Sequence, residues 1–156
     1  MRGKQATPRV ILPDAKYNNV QVAKFTNYLM HSGKKTVAQS VMYAALSLVA
    51  KKIDGDPVEA FETAVKNAMP SLEVKSKRVG GSNYQVPIPV RGERRFALAC
   101  LWILQASRGK KGRPMAQKLA DELVLASKNE GDAVKKKMDV QRMAEANRAF
   151  AHFARR

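Results

Sequence analysis

Nine residues in the middle of the chain, Glu73-Val74-Lys75-Ser76-Lys77-Arg78-Val79-Gly80-Gly81, carry the most specific chemistry the sequence offers. Three cations within four positions repel one another unless an anion lies nearby. Side chains alternate along a strand, so Lys75 and Lys77 face one way and Arg78 the other, and such a ribbon meets phosphates on both sides. Glycines at its tip, Gly80 and Gly81, let the backbone approach a nucleotide closely. Beyond Ser82, Asn83 and Tyr84 add a hydrogen-bonding group and a ring of the kind that stacks on unpaired RNA bases. A charged strand edge can also serve only to block aggregation, so the ribbon gains weight from its neighbours. Arg91, Arg94 and Arg95 follow it at the start of a helical pattern, where a cation opposes the dipole and a bound anion would compensate. Arg108, Lys110, Lys111 and Arg113 form a second cluster, and an N-terminal arm with Arg2, Lys4 and Arg9 a third.

Catalytic chemistry finds little material. The two histidines, His31 and His152, lie far apart, and both read as surface residues. Cys100 sits in the most apolar segment, where a thiol packs as a small hydrophobe. A nucleophilic thiol would need a cationic, accessible setting. Gly80-Gly81 is followed by a strand rather than a helix, so neither a phosphate loop nor a dinucleotide fingerprint is satisfied. One cysteine excludes a disulfide framework and a cysteine-rich zinc site, and suits a reducing cytosol. The expectation is a protein with no catalytic residues, no metal, no cofactor and no small-molecule substrate.

The elements that must position these cations follow from periodicity and punctuation. Residues 1–19, with Pro8, Pro13 and Tyr17-Asn18-Asn19, read as a basic extended arm. A first helix, capped by Asn18 or Asn19, runs through Val22, Phe25 and Leu29 and stops near Gly33, which places Lys34-Lys35 at its negative end. A second covers about residues 36–52 with Val37, Val41, Ala44, Ala45 and Leu48 inward. Asp56-Pro57-Val58-Glu59 combines a cap, an N-terminal Pro and a capping-box Glu, opening a third helix through Phe61, Val65 and Ala68 that halts at Pro70.

From 72 to 90 the period is two, broken by Gly80-Gly81, which predicts a β-hairpin. Pro87 and Pro89 lie on one side of its returning strand and make that side an edge. No other strand is legible, and an isolated hairpin is marginal in water. The hairpin is therefore expected to project and to be ordered by a partner. A fourth helix over about 93–107 is apolar nearly all round and reads as the buried central helix. Pro114 opens a fifth, with Ala116, Leu119, Leu123 and Ala126. A sixth starts at Asp132 and carries Val134, Met138, Met143, Ala146 and Phe150. The fold class is mainly α: a bundle of about six helices with one protruding β-hairpin arm, in a single domain over 1–156.

The charge follows the same map. The chain has 156 residues, 29 Lys plus Arg against 13 Asp plus Glu, and a net charge of +16. Residues 1–35 hold seven basic and one acidic side chain, residues 36–72 three and four, residues 73–120 eleven and two, and residues 121–156 eight and six. A solvated surface would intersperse the signs, whereas this clustering is the footprint of a phosphate backbone. Three separate basic segments suit an irregular folded RNA better than one groove of a duplex, although an architectural DNA-binding protein would also use a basic ribbon. A membrane-surface protein would need a helix with opposed basic and bulky apolar faces. The last helix comes nearest, and Asp139 and Glu145 dilute it. The longest uncharged runs, 36–50 and 96–107, are too short to span a bilayer, and the N-terminus carries no apolar stretch of a secretory signal.

The strings Met69-Pro70-Ser71-Leu72-Glu73-Val74-Lys75-Ser76-Lys77-Arg78-Val79-Gly80-Gly81-Ser82-Asn83-Tyr84-Gln85-Val86-Pro87, Arg91-Gly92-Glu93-Arg94-Arg95 and Met143-Ala144-Glu145-Ala146-Asn147-Arg148-Ala149-Phe150-Ala151-His152 closely resemble the bacterial family of small-subunit ribosomal protein number seven. The likeness extends over essentially the whole chain. It implies a helical domain with a protruding hairpin, located in cytoplasmic ribosomes. It further implies a primary binder of the 3′ major domain of 16S rRNA that nucleates the head of the subunit.

Carried over residue by residue, the rRNA contacts implied are Arg2, Lys4, Arg9, Lys34, Lys35, Lys75, Lys77, Arg78, Arg91, Arg94, Arg95, Arg108, Lys110, Lys111 and Arg113. Proximity to the exit-site tRNA and the mRNA path falls on Gly80, Gly81, Ser82, Asn83 and Tyr84, and on Arg142 and Arg148 of the last helix. The implied protein neighbours are small-subunit ribosomal proteins nine and eleven. Ser82 stands where the resemblance leads one to expect Ala.

Overall fold

The computed structural model describes residues 3, 6, 7, 9–53 and 55–155. Arg2 and Lys4, both expected RNA contacts, lie outside the described residues. Asn19 opens the first helix, its Oδ1 accepting from the N–H groups of Gln21 (2.7 Å) and Val22 (3.2 Å). This helix, α1 (Val20–Leu29), buries Val22, Phe25 and Leu29 as its spacing requires. It ends four residues before Gly33. Met30 turns extended, and Ser32 (φ +52°) and Gly33 (φ +73°) then reverse the chain in the left-handed region. Lys34 and Lys35 therefore belong to the next helix, as cap and first residue of α2 (Lys35–Lys52), and not to the negative end of α1.

The buried row of α2 is Ala38, Met42, Ala45, Leu46 and Val49. Val37, expected inside, is 57% exposed, and Ala44 is exposed as well. Two apolar rows overlap on this helix, and packing against α3 and α5 selects one of them. Helix α3 (Pro57–Ala68) begins as predicted, with Asp56 accepting from Val58 N–H at 3.0 Å. It sets Phe61 edge-on to Phe25, centroids 5.3 Å apart.

The hairpin is β1 (Leu72–Val79) and β2 (Ser82–Pro89), paired antiparallel from Leu72↔Pro89 to Val79↔Ser82. Gly80 (φ +57°) and Gly81 (φ +89°) supply the two positive φ angles of a two-residue turn whose twist matches the strands. Among the described residues this is the whole sheet.

Helix α4 (Gly92–Gly109) buries Leu98, Ala99, Cys100, Trp102, Ile103 and Leu104, while Leu101 is 46% exposed. It shares the middle of the bundle with α5 (Met115–Ser127), which packs on α2, α3, α4 and α6. The last α-helix, α6 (Asp132–Ala146), turns Ala133, Val134 and Ala144 inward. Met138 and Met143, expected in the core, are each 47% exposed, and Ala146 is exposed. Phe150 lies beyond this helix, in a 3-10 segment, Arg148–Arg155.

That segment changes the reading of the hairpin. Strand β1 rests on α6 and β2 on the 3-10 segment. Tyr84 packs on Phe150 and Phe153, centroids 5.0 and 5.3 Å away. Val86 and Pro87 are buried. The ribbon is thus braced from within the chain along much of its length, leaving the tip in solvent.

Candidate nucleic-acid interface

The register confirms the alternation of the basic strand: Lys75 and Lys77 share a face with Tyr84 and Val86, and Arg78 takes the other with Asn83. At the root of the hairpin Glu73 pairs with Lys75 at 3.1 Å and with Arg94 Nε at 3.3 Å. Arg95 Nε donates to the Pro70 carbonyl at 3.0 Å. Two segments about twenty residues apart in sequence are thereby locked into one patch. Arg91 caps α4 without a side-chain hydrogen bond, and Arg91, Arg94 and Arg95 are all exposed. Cations crowd the positive end of an 18-residue helix, with Glu93 the acid of its first turn. An arriving phosphate relieves that repulsion.

Nearer the tip, Lys77 Nζ donates to the Phe153 carbonyl at 3.0 Å. Tyr84, read from sequence as a stacking ring, has its ring against Phe150 and Phe153. Arg78, Gly80, Gly81, Ser82 and Asn83 are exposed. At the C-terminal end Arg142 lies 4.0 Å from Asp139 with its side chain 82% exposed, and Arg148 is exposed at the start of the 3-10 segment. Lys135 and Lys136, exposed on α6, join Arg142 on this helix. The run Lys135-Lys136-Lys137 was the signal for them, diluted in sequence by the acids around it. Lys137 itself donates to the Asn67 carbonyl at 2.7 Å.

The basic loop after α4 is less positive than its letters suggest. Lys110 Nζ lies 2.5 Å from Oε2 of Glu122, which is fully buried. Arg113 and Lys52 both pair with Asp121, and the Lys52 hydrogen bond holds that carboxyl below the usual range. Lys111 is exposed. Arg108 reaches back to the end of α1, donating to the Leu29 carbonyl at 3.3 Å. This brings it to the turn that carries Lys34 and Lys35, both exposed.

The arm, with Arg9 exposed, is tied to the body by Asp14. This buried carboxylate accepts from the N–H groups of Lys16 (3.0 Å) and Tyr17 (3.2 Å) and from Tyr43 Oη (2.9 Å). Lys16 stands over the Tyr17 and Tyr43 rings, 5.3 and 5.4 Å from their centroids. Asp14 escaped the sequence reading because its partner Tyr43 lies 29 residues away. Among the described residues ion pairs engage Lys52, Lys75, Arg94, Lys110, Arg113 and Arg142, while Lys34, Lys35, Arg78, Arg91, Arg95, Lys111 and Arg148 are exposed.

Groups that could do covalent chemistry are inert or scattered. His31 and His152 are exposed, with partners on their own turns: Ser32 Oγ for one ring and the Ala149 carbonyl for the other. Cys100 is fully buried, and burial pushes its thiol up to about 12. The native protein is therefore expected to resist thiol alkylation at pH 8 and to label fully in urea; stoichiometric labelling of the folded chain would contradict this. Because the folded thiol holds its proton, the stabilisation is complete below the unfolded value of about 8.5 and is lost as pH rises from there toward the folded value. Among the described residues no group of His, Cys, Asp and Glu could hold a metal ion, and no helix is long and apolar enough to cross a membrane.

A helical body with a braced basic ribbon, an overcharged helix start and exposed cations on several loops defines a nucleic-acid-binding scaffold protein. The family model described as Ribosomal protein S7p/S5e matches residues 1–148, and the chain belongs to that family of ribosomal structural proteins, which are not enzymes. It is 53% identical to the small ribosomal subunit protein uS7 of Thermotoga neapolitana over 98% of this chain and 99% of that one. The protein of the same name from Teredinibacter turnerae is also 53% identical, over 97% of each chain. That from Chloroflexus aggregans is 52% identical over 94% of each.

Proposed function

We propose that this chain is a structural protein of the small ribosomal subunit that binds 16S rRNA in its 3′ major domain and nucleates folding of the head. On this reading it works in cytoplasmic ribosomes, beside small-subunit ribosomal proteins nine and eleven. Its hairpin tip and last helix, through Gly80–Tyr84, Arg142 and Arg148, lie near the exit-site tRNA and the mRNA path. The observation that carries the reading is the patch where Lys75, Arg91, Arg94 and Arg95 lie together at the hairpin root, with Arg78 exposed on the ribbon's other face.

The work is positioning. RNA segments that converge at a junction repel one another, and a rigid body presenting cations to several of them lowers the cost of bringing them together. Lys34, Lys35, Arg108 and Lys111 offer a second contact, and Arg9 with the rest of the arm a third. Lys110 and Arg113 contribute by holding the loop, since each is paired inside the chain.

Binding to a transcript of the 3′ domain, measured beside duplex DNA of equal length across a salt series, tests the reading. If about six to ten phosphates are neutralised, affinity falls on the order of 10³–10⁵ between 50 and 200 mM salt, and somewhat less steeply where single strands are contacted. RNA binding is expected to persist at salt concentrations that abolish DNA binding. Equal, steeply salt-sensitive binding to both would mean charge alone is at work and would overturn it.

A further inference from the structure

The arm joins the body through a turn built on the buried Asp14 carboxylate. Its Oδ2 accepts from the N–H groups of Lys16 and Tyr17, while Oδ1 takes the Tyr43 hydroxyl. The backbone closes around the same residue: the Asn18 N–H donates to the Asp14 carbonyl at 2.8 Å and the Asp14 N–H to the Asn19 carbonyl at 3.2 Å. Asn18 takes a φ of +48° to complete the turn. These bonds join neighbours in sequence. The Tyr43 hydroxyl instead fastens the turn to α2, twenty-nine residues on, and the Tyr17 ring stands edge-on to Tyr43 with centroids 5.9 Å apart. Before the turn, residues 9–15 wall a cleft of about 460 Å³ whose other side includes Ala23 and Thr26 of α1 and Gln39 of α2. Ile11, half-buried, also lines a cavity of about 330 Å³ with Tyr28 of α1 and Glu93 and Phe96 at the start of α4. Val10 and Leu12 on either side of it are exposed. The arm thus spans open space more than it fills it, so little apolar burial fixes its course toward α4.

We propose that Tyr43 is a positioning residue for RNA binding: by holding Asp14 it fixes the direction in which the arm leaves the body, and so aims Arg9 toward the cations at the start of α4. The proposal rests on the RNA-binding reading above and concerns how the free chain is prepared for it, since Tyr43 acts through Asp14. A basic arm without this fastening samples many directions, and each binding event then carries the entropy of ordering it. A carboxylate that bonds two amides of its own turn and one hydroxyl of a helix removes most of that freedom beforehand. The alternative is that the hydroxyl only stabilises the surface of α2, and the two roles separate once the arm has no charge to present.

The test is equilibrium binding of the full chain to the 3′-domain transcript across a salt series, with Tyr43→Phe made in the parent and in an arm-neutral background that has Arg2, Lys4 and Arg9 replaced by Ala. Tyr43→Phe keeps the ring beside Tyr17 and Lys16 and removes only the hydroxyl, so it is expected to fold. In the parent it should weaken binding about fivefold, the factor that applies when the competent arrangement falls to about one fifth of the population. The salt slope should stay unchanged, because no cation is lost. In the arm-neutral background the same substitution should have no further effect, since the two changes act through one contact. Amide hydrogen exchange of the free proteins should quicken at Lys16 and Tyr17 in Tyr43→Phe, while the amides of α2 and α3 stay protected as in the parent. Parent-like binding of Tyr43→Phe, unchanged exchange at those two amides, or an equal loss of affinity in both backgrounds would overturn the positioning role and leave the RNA-binding function standing. Failure of the parent itself to prefer the transcript over duplex DNA would overturn both.

Discussion

A variant with Lys75, Lys77 and Arg78 all replaced by Ala is expected to bind the 3′-domain transcript about 10²-fold more weakly near 0.1 M salt, with its salt slope shallower by roughly two units. The variant removes three cations that the proposed function sets against phosphates, on a ribbon whose register sends them to both faces. The melting temperature should change little by comparison. The Lys77–Phe153 bond is one contact at stake, and a hydrogen bond of this kind contributes only about 0.5–1.5 kcal/mol. Lys75 already faces Glu73, so its loss also frees that carboxylate beside Arg94. A double variant at Lys75 and Arg78 alone separates charge from bracing, because it leaves the Phe153 contact in place. Binding retained in the triple variant together with a large drop in melting temperature would reverse the assignment and make the ribbon a structural element.

Replacing Glu122 with Ala is expected to destabilise the fold by about 3 kcal/mol, a fall of roughly 6–12 °C in melting temperature for a chain of this size. Its two carboxylate oxygens do different jobs. Oε1 accepts from the Ala133 N–H at 2.9 Å and so caps the start of α6 from α5. Oε2 takes the Lys110 ammonium at 2.5 Å, tying the loop after α4 to the same point. Truncation leaves an unsatisfied N–H, an unpaired ammonium and a cavity. The low end of the range applies because the Lys110 side chain keeps 30% of its exposure and can turn to water. Glu122→Gln keeps an acceptor for Ala133 and should cost less. Gly131→Ala attacks the same joint from the other side: a Cβ there would lie 2.9 Å from Oε1 at a φ of +92°. If Glu122→Ala melted within about 2 °C of the parent, the joint would contribute little, since that shift corresponds to under about 1 kcal/mol.

Both predictions depend on how much of the site was readable from residue order. The ribbon was readable because its determinants are local: a two-residue period, two glycines able to take positive φ, and cations whose alternation assigns their faces. The Asn19 and Asp56-Pro57 helix starts were readable for the same reason, since a cap is decided within three residues. Helix α2 was misphased because Val37-Val41-Ala45-Leu48 and Ala38-Met42-Ala45-Val49 are both good helical rows, and only the neighbours choose between them. Sequence spacing alone points Met138 and Met143 inward because an apolar letter carries no direction. The surface of α6 against the bundle is narrow and is filled by Ala133, Val134 and Ala144.

The sequence by itself determined the helical class, the hairpin, the separation of the positive charge into an arm, a ribbon and loops, and the family strings. Each of these depends on residues a few positions apart or on composition. Tertiary structure decided which cations remain available and what the ribbon leans on. Lys110 is neutralised by Glu122 twelve residues on, and Lys52 by Asp121 sixty-nine residues on. Lys77 is held by Phe153 seventy-six residues on, and Arg108 is turned toward Lys34 by a carbonyl seventy-nine residues back. A charge is countable in sequence, but its potential depends on what folding brings within a few ångströms, and contacts between distant segments exist only once the core has closed.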